Sequence, residues 1–172
     1  MNLQQLAIQI PDYAKDIRLN LFNVLSTEGS PGLTQQQIGA IALASSYTCE
    51  HDEVSNSIEK EYQHLLDDTI LQAAKAAKSI MAMNNIYYRF IHALDEPHWQ
   101  ALPARLRMNI IGKPGIDKIT FELMCLAISM INGCGMCMKA HTLILQKHGV
   151  STEGIQSVGR IAAVIHAVAK SL

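Results

Sequence analysis

Two cysteines and a histidine at helical spacing are the residues of this chain best suited to chemistry. Cys134 and Cys137 are three residues apart, and His141 follows Cys137 by four residues. Asn132-Gly133 is a turn signal, and the residues after it predict a helix that ends at Gly149. Since residues i, i+3 and i+7 share one face of a helix, we expect the two thiols and the imidazole to be neighbours.

This arrangement favours reversible disulfide chemistry. A helix N-terminus stabilises a thiolate, and a nearby imidazole can accept or hold the thiol proton. Two alternatives stay open, namely half of a structural zinc site and a pair of small buried side chains. In one version of the zinc alternative, Cys49 and His51 join Cys134 and Cys137 in a Cys3His site. In a reducing compartment a Cys-x-x-Cys pair is more typical of catalysis or metal binding than of a static crosslink.

A carboxylate within an apolar segment is the next candidate. Glu122 lies in residues 119–128, where its immediate neighbours are apolar. The tight turn at Asn132-Gly133 predicts that this helix packs antiparallel against the cysteine helix, with Glu122 and His141 each two turns from the turn. A buried carboxylate needs a partner, and His141 supplies one. We therefore expect a Glu122–His141–cysteine relay that activates a thiol, the alternative being a Glu122 side chain in solvent.

The order in which the two thiols react is open at this point. The spacing from His141 favours Cys137 as the attacking thiol, whereas a place at the helix start predicts that Cys134 is the more exposed sulfur. Cys125 lies in an apolar run and predicts a buried side chain. The other histidines have no thiol or carboxylate partner in the sequence, and we expect them at the surface or satisfied in the core: His64, His92, His98, His148 and His166.

The composition predicts an all-α protein. Of 172 residues, 49% are hydrophobic but only 5% are aromatic, a mixture that favours helices over sheets. A net charge of −1 gives no electrostatic footprint for nucleic acid, and no apolar run is long enough to cross a bilayer. The first residues lack a signal-peptide pattern, so we expect a cytoplasmic protein, and we predict no cofactor and no metal ion. Several methionines at apolar positions predict core packing: Met81, Met83, Met108, Met124 and Met130.

Capping and breaking residues define the expected helices. These cover residues 11–25, 34–47, 53–66, 69–90, 117–130, 134–149 and 151–169, with a short helix within 105–110. Residues Ile41–Ser46 resemble Cys125–Met130 at an offset of 84 residues. This weak echo predicts two related halves, about 33–90 and 117–172, within one domain of residues 1–172. The alternative is that helices rich in alanine simply resemble one another.

Four segments together carry a family resemblance: Asn84–Phe90, Leu106–Asn109, Phe121–Leu123, and Asn132–Cys137 with His141. With them, the chain resembles the AhpD-type alkylhydroperoxidases of the carboxymuconolactone decarboxylase-like superfamily along nearly its whole length. The resemblance implies an all-α fold of two related halves that assembles as a homotrimer. It also implies a redox centre in which Glu122, Cys134, Cys137 and His141 are the catalytic residues.

The resemblance implies an antioxidant function. The expected enzyme reduces organic hydroperoxides through a Cys134–Cys137 redox pair and regenerates a partner peroxiredoxin, using electrons from the dihydrolipoyl group of a 2-oxoacid dehydrogenase. Decarboxylation is not implied, because the decarboxylases of the superfamily lack the Cys-x-x-Cys pair. Two other functions stay open, a disulfide carrier without significant peroxidase activity and a zinc-stabilised helical interaction module.

Overall fold

The computed structural model describes residues 1–172 and is helical, with no β-strand, which confirms the all-α prediction. A short 3-10 helix, Asp12–Ala14, lies between the first two of ten α-helices. The α-helices are α1 Leu3–Gln9, α2 Lys15–Val24, α3 Gln35–Cys49, α4 Asp52–Tyr62, α5 Asp68–Leu94, α6 Pro97–Ala101, α7 Asn109–Gly112, α8 Lys118–Ile131, α9 Gly135–Lys147 and α10 Thr152–Ser171.

The long helices begin where side chains can satisfy the free backbone amides of a first turn. The Thr34 hydroxyl accepts from the backbone N–H of Gln37, and the Gln37 side chain accepts from the backbone N–H of Thr34, which completes the predicted capping box of α3. At the starts of α5, α8 and α10 the side chains of Asp67, Asp117 and Ser151 each accept from a backbone N–H of the first turn, without the reciprocal bond of a capping box. These caps fix the starting points of the helices that carry the site.

Three short elements differ from the sequence-based expectation. The first is α1, which was not predicted, although Asn2 and Gln5 form a capping box at its start. The second is α6, which was not among the expected helices and begins with Pro97 at its first position. The third is the short helix expected within 105–110, which instead spans Asn109–Gly112. Arg105 has a φ of 53°, a left-handed conformation that no right-handed helix can include.

Two helices form the centre of the core. Nine consecutive residues of α3, Ile38–Ser46, and ten consecutive residues of α8, Thr120–Ser129, are buried. The reason is that α8 packs against α3, α5, α9 and α10, so that it has no solvent side. Any polar side chain of α8 must therefore find its partner inside the protein.

Each of the two expected halves contains three consecutive helices, of which the second is the shortest and the third is the longest. In α3, α4 and α5 the lengths are 15, 11 and 27 residues, and in α8, α9 and α10 they are 14, 13 and 20 residues. This order is compatible with the repeat, and the relation between the halves stays a prediction. None of the helices combines the length and the apolar character needed to span a membrane.

Candidate redox site

The cysteine pair occupies the first turn of α9. Cys134 is the N-cap residue, and its sulfur accepts a hydrogen bond from the backbone N–H of Cys137 at 3.3 Å. A disulfide joins the two residues, whose Cα atoms are 5.3 Å apart. Gly133 precedes them with a φ of 68°, and the backbone N–H of Cys134 donates to the carbonyl of Ser129 at 3.0 Å. The turn thus holds the cysteine pair tightly against the end of α8.

Glu122 and His141 form a buried pair between α8 and α9. The Nδ1 atom of His141 donates to Oε2 of Glu122 at 2.7 Å, and the two residues are 7% and 1% exposed. The expected contact is therefore present, and the alternative of a solvent-facing Glu122 is wrong. Because Nδ1 is engaged by the carboxylate, Nε2 is the imidazole nitrogen left to exchange a proton with another group.

A cavity of about 350 Å³ lies beside this pair. Its walls come from α5, α7, α9 and the segment before α7, and seven of its nine lining residues are hydrophobic. The lining residues are Met81, Asn84, Tyr88, Met108, Ile111, Met136, Cys137, Ala140 and His141. Only one sulfur of the disulfide and the imidazole therefore reach the cavity, while Glu122 stays behind the imidazole.

The expected exposure of the two sulfurs is wrong. Cys134 is fully buried, and Cys137 is 6% exposed and lines the cavity. The reason is the N-cap conformation, which turns the Cys134 sulfur back over the first turn of α9 toward the amide of Cys137. The cavity consequently gives outside molecules access to Cys137 and not to Cys134.

A polar network on the far side of the turn holds it to α5. Asn85, which is 1% exposed, donates from Nδ2 to the Ser129 hydroxyl at 2.9 Å and accepts from Nδ2 of Asn132 at 3.0 Å. The Arg89 guanidinium donates to the backbone carbonyl of Asn132 at 2.6 Å. These groups were not among the predicted site residues, because the contacts join positions more than 40 residues apart and leave no local signal.

The remaining cysteines lie elsewhere. Cys49, at the end of α3, has its sulfur 3.6 Å from Nδ1 of His166, a partner that the sequence did not predict for this histidine. Burial raises the pKa of the Cys49 thiol to about 11, opposed in part by the charge of Lys170. Cys125 is fully buried as predicted, and burial, with the nearby Glu122 charge, raises its pKa well above the usual value.

The Cys3His zinc site is not formed. No three His, Cys, Asp or Glu side chains lie together as metal ligands would, and Cys49 and His51 do not join Cys134 and Cys137. The reason is that α3 ends on the side of α10, where Cys49 meets His166. This outcome removes the specific four-ligand version of the zinc alternative.

Comparison with known proteins identifies the family of the chain. A model of the "Carboxymuconolactone decarboxylase family" matches residues 97–172. A protein of Coxiella burnetii named alkyl hydroperoxide reductase AhpD is 52% identical over 168 residues, which cover 98% of this chain and 95% of the relative. Proteins with the same name from Rhodospirillum centenum and Gluconacetobacter diazotrophicus are 49% and 44% identical, with all of this chain and 91% and 93% of the relatives covered. The chain therefore belongs to the AhpD family of this superfamily.

Proposed function

We propose that this protein is an antioxidant oxidoreductase that reduces organic hydroperoxides through the Cys134–Cys137 pair. The main observation in support is the apolar cavity, which is lined by Cys137 and His141. The Glu122 carboxylate is bonded to Nδ1 of the same imidazole. The names of the relatives, alkyl hydroperoxide reductase, support the same reaction class. An apolar cavity suits the organic part of such a substrate, because burial of that part is favourable.

In the first step His141 activates a thiol. In the reduced protein, Nε2 of His141 accepts the proton of the Cys137 thiol, and Glu122 stabilises the resulting imidazolium through its bond to Nδ1. The 2.7 Å bond also fixes the ring, which must present Nε2 and not Nδ1 to the sulfur. Positioned acid–base groups of this kind commonly contribute about 10²–10⁴-fold to a rate.

In the second step the Cys137 thiolate attacks the terminal oxygen of the hydroperoxide. The S–O bond forms as the O–O bond breaks, so that sulfur is oxidised by two electrons to a sulfenic acid. The leaving alkoxide takes the proton from His141 and departs as an alcohol. Cys137 has this role in our proposal because it lines the cavity, whereas Cys134 is fully buried behind it.

In the third step Cys134 resolves the sulfenic acid. Its thiolate, favoured by the amide of Cys137 and by the N-terminus of α9, attacks the Cys137 sulfur. The S–S bond forms as the S–O bond breaks, and the departing hydroxide leaves as water with the proton of Cys134. A dithiol then attacks the accessible Cys137 sulfur, releases Cys134 as a thiolate, and closes its own disulfide in a second exchange.

The proposal extends to partners and assembly through the family membership. The electron donor is a dihydrolipoyl group, and electrons also pass from the reduced cysteine pair to a partner peroxiredoxin. The proposed compartment is the cytoplasm, because this cycle needs dithiols that are kept reduced. The proposed homotrimer is supported by large apolar side chains exposed in the single chain, among them the adjacent Phe90 and Trp99. Light scattering at micromolar concentration should return three times the chain mass of 18.9 kDa.

The decisive test is peroxide consumption with purified components. The protein, dihydrolipoamide and cumene hydroperoxide should together consume peroxide without any peroxiredoxin, and omission of the protein should stop the reaction. A protein that reduces a peroxiredoxin disulfide but consumes no peroxide by itself would be a disulfide carrier. That result would contradict the peroxidase part of the proposal and leave the exchange chemistry of Cys134 and Cys137 in place.

A further inference from the structure

The wall of the cavity contains one polar side chain whose carbonyl has no partner. Asn84 lies on α5, is 4% exposed and lines the cavity, and its Oδ1 atom accepts no hydrogen bond. A buried amide carbonyl without a donor costs free energy, so buried side chains in native proteins nearly always have partners. A buried carbonyl that lacks a donor, on a residue that lines a cavity, indicates a group that a small turn of the amide can satisfy when the cavity is filled.

Asn84 also lies directly against the reacting sulfur. The Cys137 sulfur is 3.9 Å from the backbone carbonyl oxygen of Asn84. Apart from Cys137 and His141, the polar side chains of the cavity are Asn84 and Tyr88, and the Tyr88 hydroxyl already contacts the sulfur of Met108 at 3.9 Å. The Asn84 backbone therefore adjoins the sulfur that attacks, and the Asn84 side-chain amide is the polar group of the cavity wall whose carbonyl oxygen has no partner.

We propose that Asn84 binds the hydroperoxide group of the substrate, an inference that rests on the proposed function. A hydroperoxide offers one donor, its terminal O–H, and two acceptor oxygens. A side-chain amide offers the complementary pair, an acceptor oxygen and an N–H donor, on one rigid plane. Asn84 Oδ1 accepts from the terminal O–H, and Nδ2 donates to the inner oxygen of the same molecule.

This contact strengthens as the reaction proceeds. When the Cys137 thiolate attacks the terminal oxygen and the O–O bond breaks, negative charge develops on the inner oxygen. The Nδ2–H donor is aimed at that oxygen, so it stabilises the transition state more than the bound substrate. Asn84 neither gains nor loses a proton, and the atoms and electrons balance as in the step already described. The methionines of the cavity contact the organic group.

The test separates the peroxide step from the rest of the cycle. Reduced Asn84→Leu protein, which keeps a side chain of similar size without polar atoms, is mixed rapidly with cumene hydroperoxide, and the loss of free thiols is followed. We expect the second-order rate constant to fall about 10²-fold, as when one donor to a developing oxyanion is removed. The rate at which dihydrolipoamide reduces the disulfide, and the alkylation rate of the Cys137 thiol, should stay at the wild-type values.

Two control variants show which part of the substrate Asn84 contacts. Tyr87→Phe removes a phenol hydroxyl from the same helix but outside the cavity lining, and should react at the wild-type rate. Met108→Ala removes apolar surface and should slow cumene hydroperoxide but not hydrogen peroxide, which has no organic group. Asn84→Leu should slow both peroxides by the same factor, because both carry the O–OH group. Asn84→Ala, which removes the amide without adding a charge, serves as the second variant if Asn84→Leu does not fold, and should also be slow.

Three outcomes contradict the inference. Oxidation of the Asn84 variants at the wild-type rate would overturn it and leave the proposed function intact. An equal slowing of peroxide oxidation, disulfide reduction and alkylation would also overturn it, since a general displacement of Cys137 would explain such a result. If the wild-type thiols do not react with either peroxide, the proposed function itself fails and this inference falls with it.

Discussion

The helix pairs α3–α4 and α8–α9 each place a cysteine at a helix end, but in opposite electrostatic settings. Cys49 is the last residue of α3, where backbone carbonyls disfavour a negative charge, and Cys134 caps the start of α9, where an amide N–H points at the sulfur. Cys49 even has an imidazole 3.6 Å away, that of His166, yet burial raises its pKa to about 11. Proximity of a histidine is therefore not enough to lower the pKa of a buried thiol.

The interiors of the two helix pairs differ as well. At the offset of 84 residues, Glu122 of α8 corresponds to Ile38 of α3, and both side chains are buried. In the first pair, Gly39 packs so closely that an added Cβ would lie 2.3 Å from the Tyr62 ring. In the second pair the buried space holds a carboxylate and an imidazole. The comparison indicates that close apolar packing fills the first pair, whereas the second pair encloses a buried carboxylate bonded to an imidazole.

Replacing the cysteines one at a time tests most directly whether only the cysteines of the second helix pair take part in the chemistry. Cys134→Ser and Cys137→Ser should each abolish turnover of cumene hydroperoxide with dihydrolipoamide, because closing the disulfide needs both sulfurs. Cys49→Ser and Cys125→Ser should retain nearly full turnover. A Cys49 variant as inactive as a Cys134 variant would show that the first helix pair takes part in the chemistry.

Glu122→Gln tests whether the Glu122 carboxylate supports thiolate formation through His141. The variant keeps the shape of the side chain but loses the charge that stabilises a protonated His141, so peroxide turnover should fall about 10²–10⁴-fold. The pH at which iodoacetamide alkylates Cys137 at half of the maximal rate should move upward, and the loss of activity should shrink as pH rises. Thiol alkylation by iodoacetamide measures this directly, because only the thiolate reacts.

The matched control for Glu122 is Glu59→Gln in the first helix pair. The Glu59 carboxylate accepts a hydrogen bond from the Tyr47 hydroxyl, so it too is a carboxylate bonded to a side chain of the other helix in its pair. Its loss should leave turnover and alkylation unchanged. Wild-type behaviour of Glu122→Gln at every pH would reduce the relay to Cys134, Cys137 and His141.

Local features of the sequence were sufficient to predict the long helices and the four proposed site residues. A cap such as Thr34 or Asp117 contacts a residue three positions later, and Cys137 and His141 are one helical turn apart. Both features can therefore be recognised in the sequence, because they involve residues that are close along the chain. The cavity was not predictable in this way. Asn84 reaches Cys137 across 53 residues of sequence, and only the packing of α5 against α9 brings them together. The inward turn of the Cys134 sulfur was missed because it depends on the cap conformation and not on residue type.

Differential alkylation sharpens the contrast between the two thiol environments. With its pKa raised to about 11 by burial, Cys49 is about one part in a thousand thiolate at pH 8, against roughly a quarter for an ordinary exposed thiol. Iodoacetamide should therefore modify Cys49 of the reduced protein at least about 10²-fold more slowly than Cys137. Mass spectrometry of the peptides measures both rates. The Cys49 rate should rise steeply with pH up to about 11, and equal rates for the two cysteines at pH 8 would contradict the assignment.

The smallest expected effect compares two serines related by the 84-residue offset of the predicted repeat. Ser129 of α8 and Ser45 of α3 are 84 residues apart and both fully buried. The Ser129 hydroxyl accepts from Asn85 at 2.9 Å, whereas the Ser45 hydroxyl has no partner. Ser129→Ala removes the hydroxyl acceptor of the buried Asn85 amide, which then keeps only a 3.9 Å contact with the Met81 sulfur, and should lower the free energy of unfolding by about 1–3 kcal/mol. Ser45→Ala removes an unpaired hydroxyl from the core, so it should leave that free energy unchanged or raise it slightly.

Urea denaturation of the two reduced variants, at the same protein concentration, measures the difference between their free energies of unfolding. Each substitution removes one hydroxyl oxygen from a buried helix, so the loss of side-chain volume cancels between them. The remaining difference reports the contacts of the Ser129 hydroxyl with Asn85 and with the Met81 sulfur. Because Asn85 also holds Asn132 at the start of the redox turn, Ser129→Ala should slow peroxide turnover more than Ser45→Ala does. An equal loss of stability in the two variants would mean that α5 holds the turn without Ser129. The polar network would then not distinguish the second helix pair from the first.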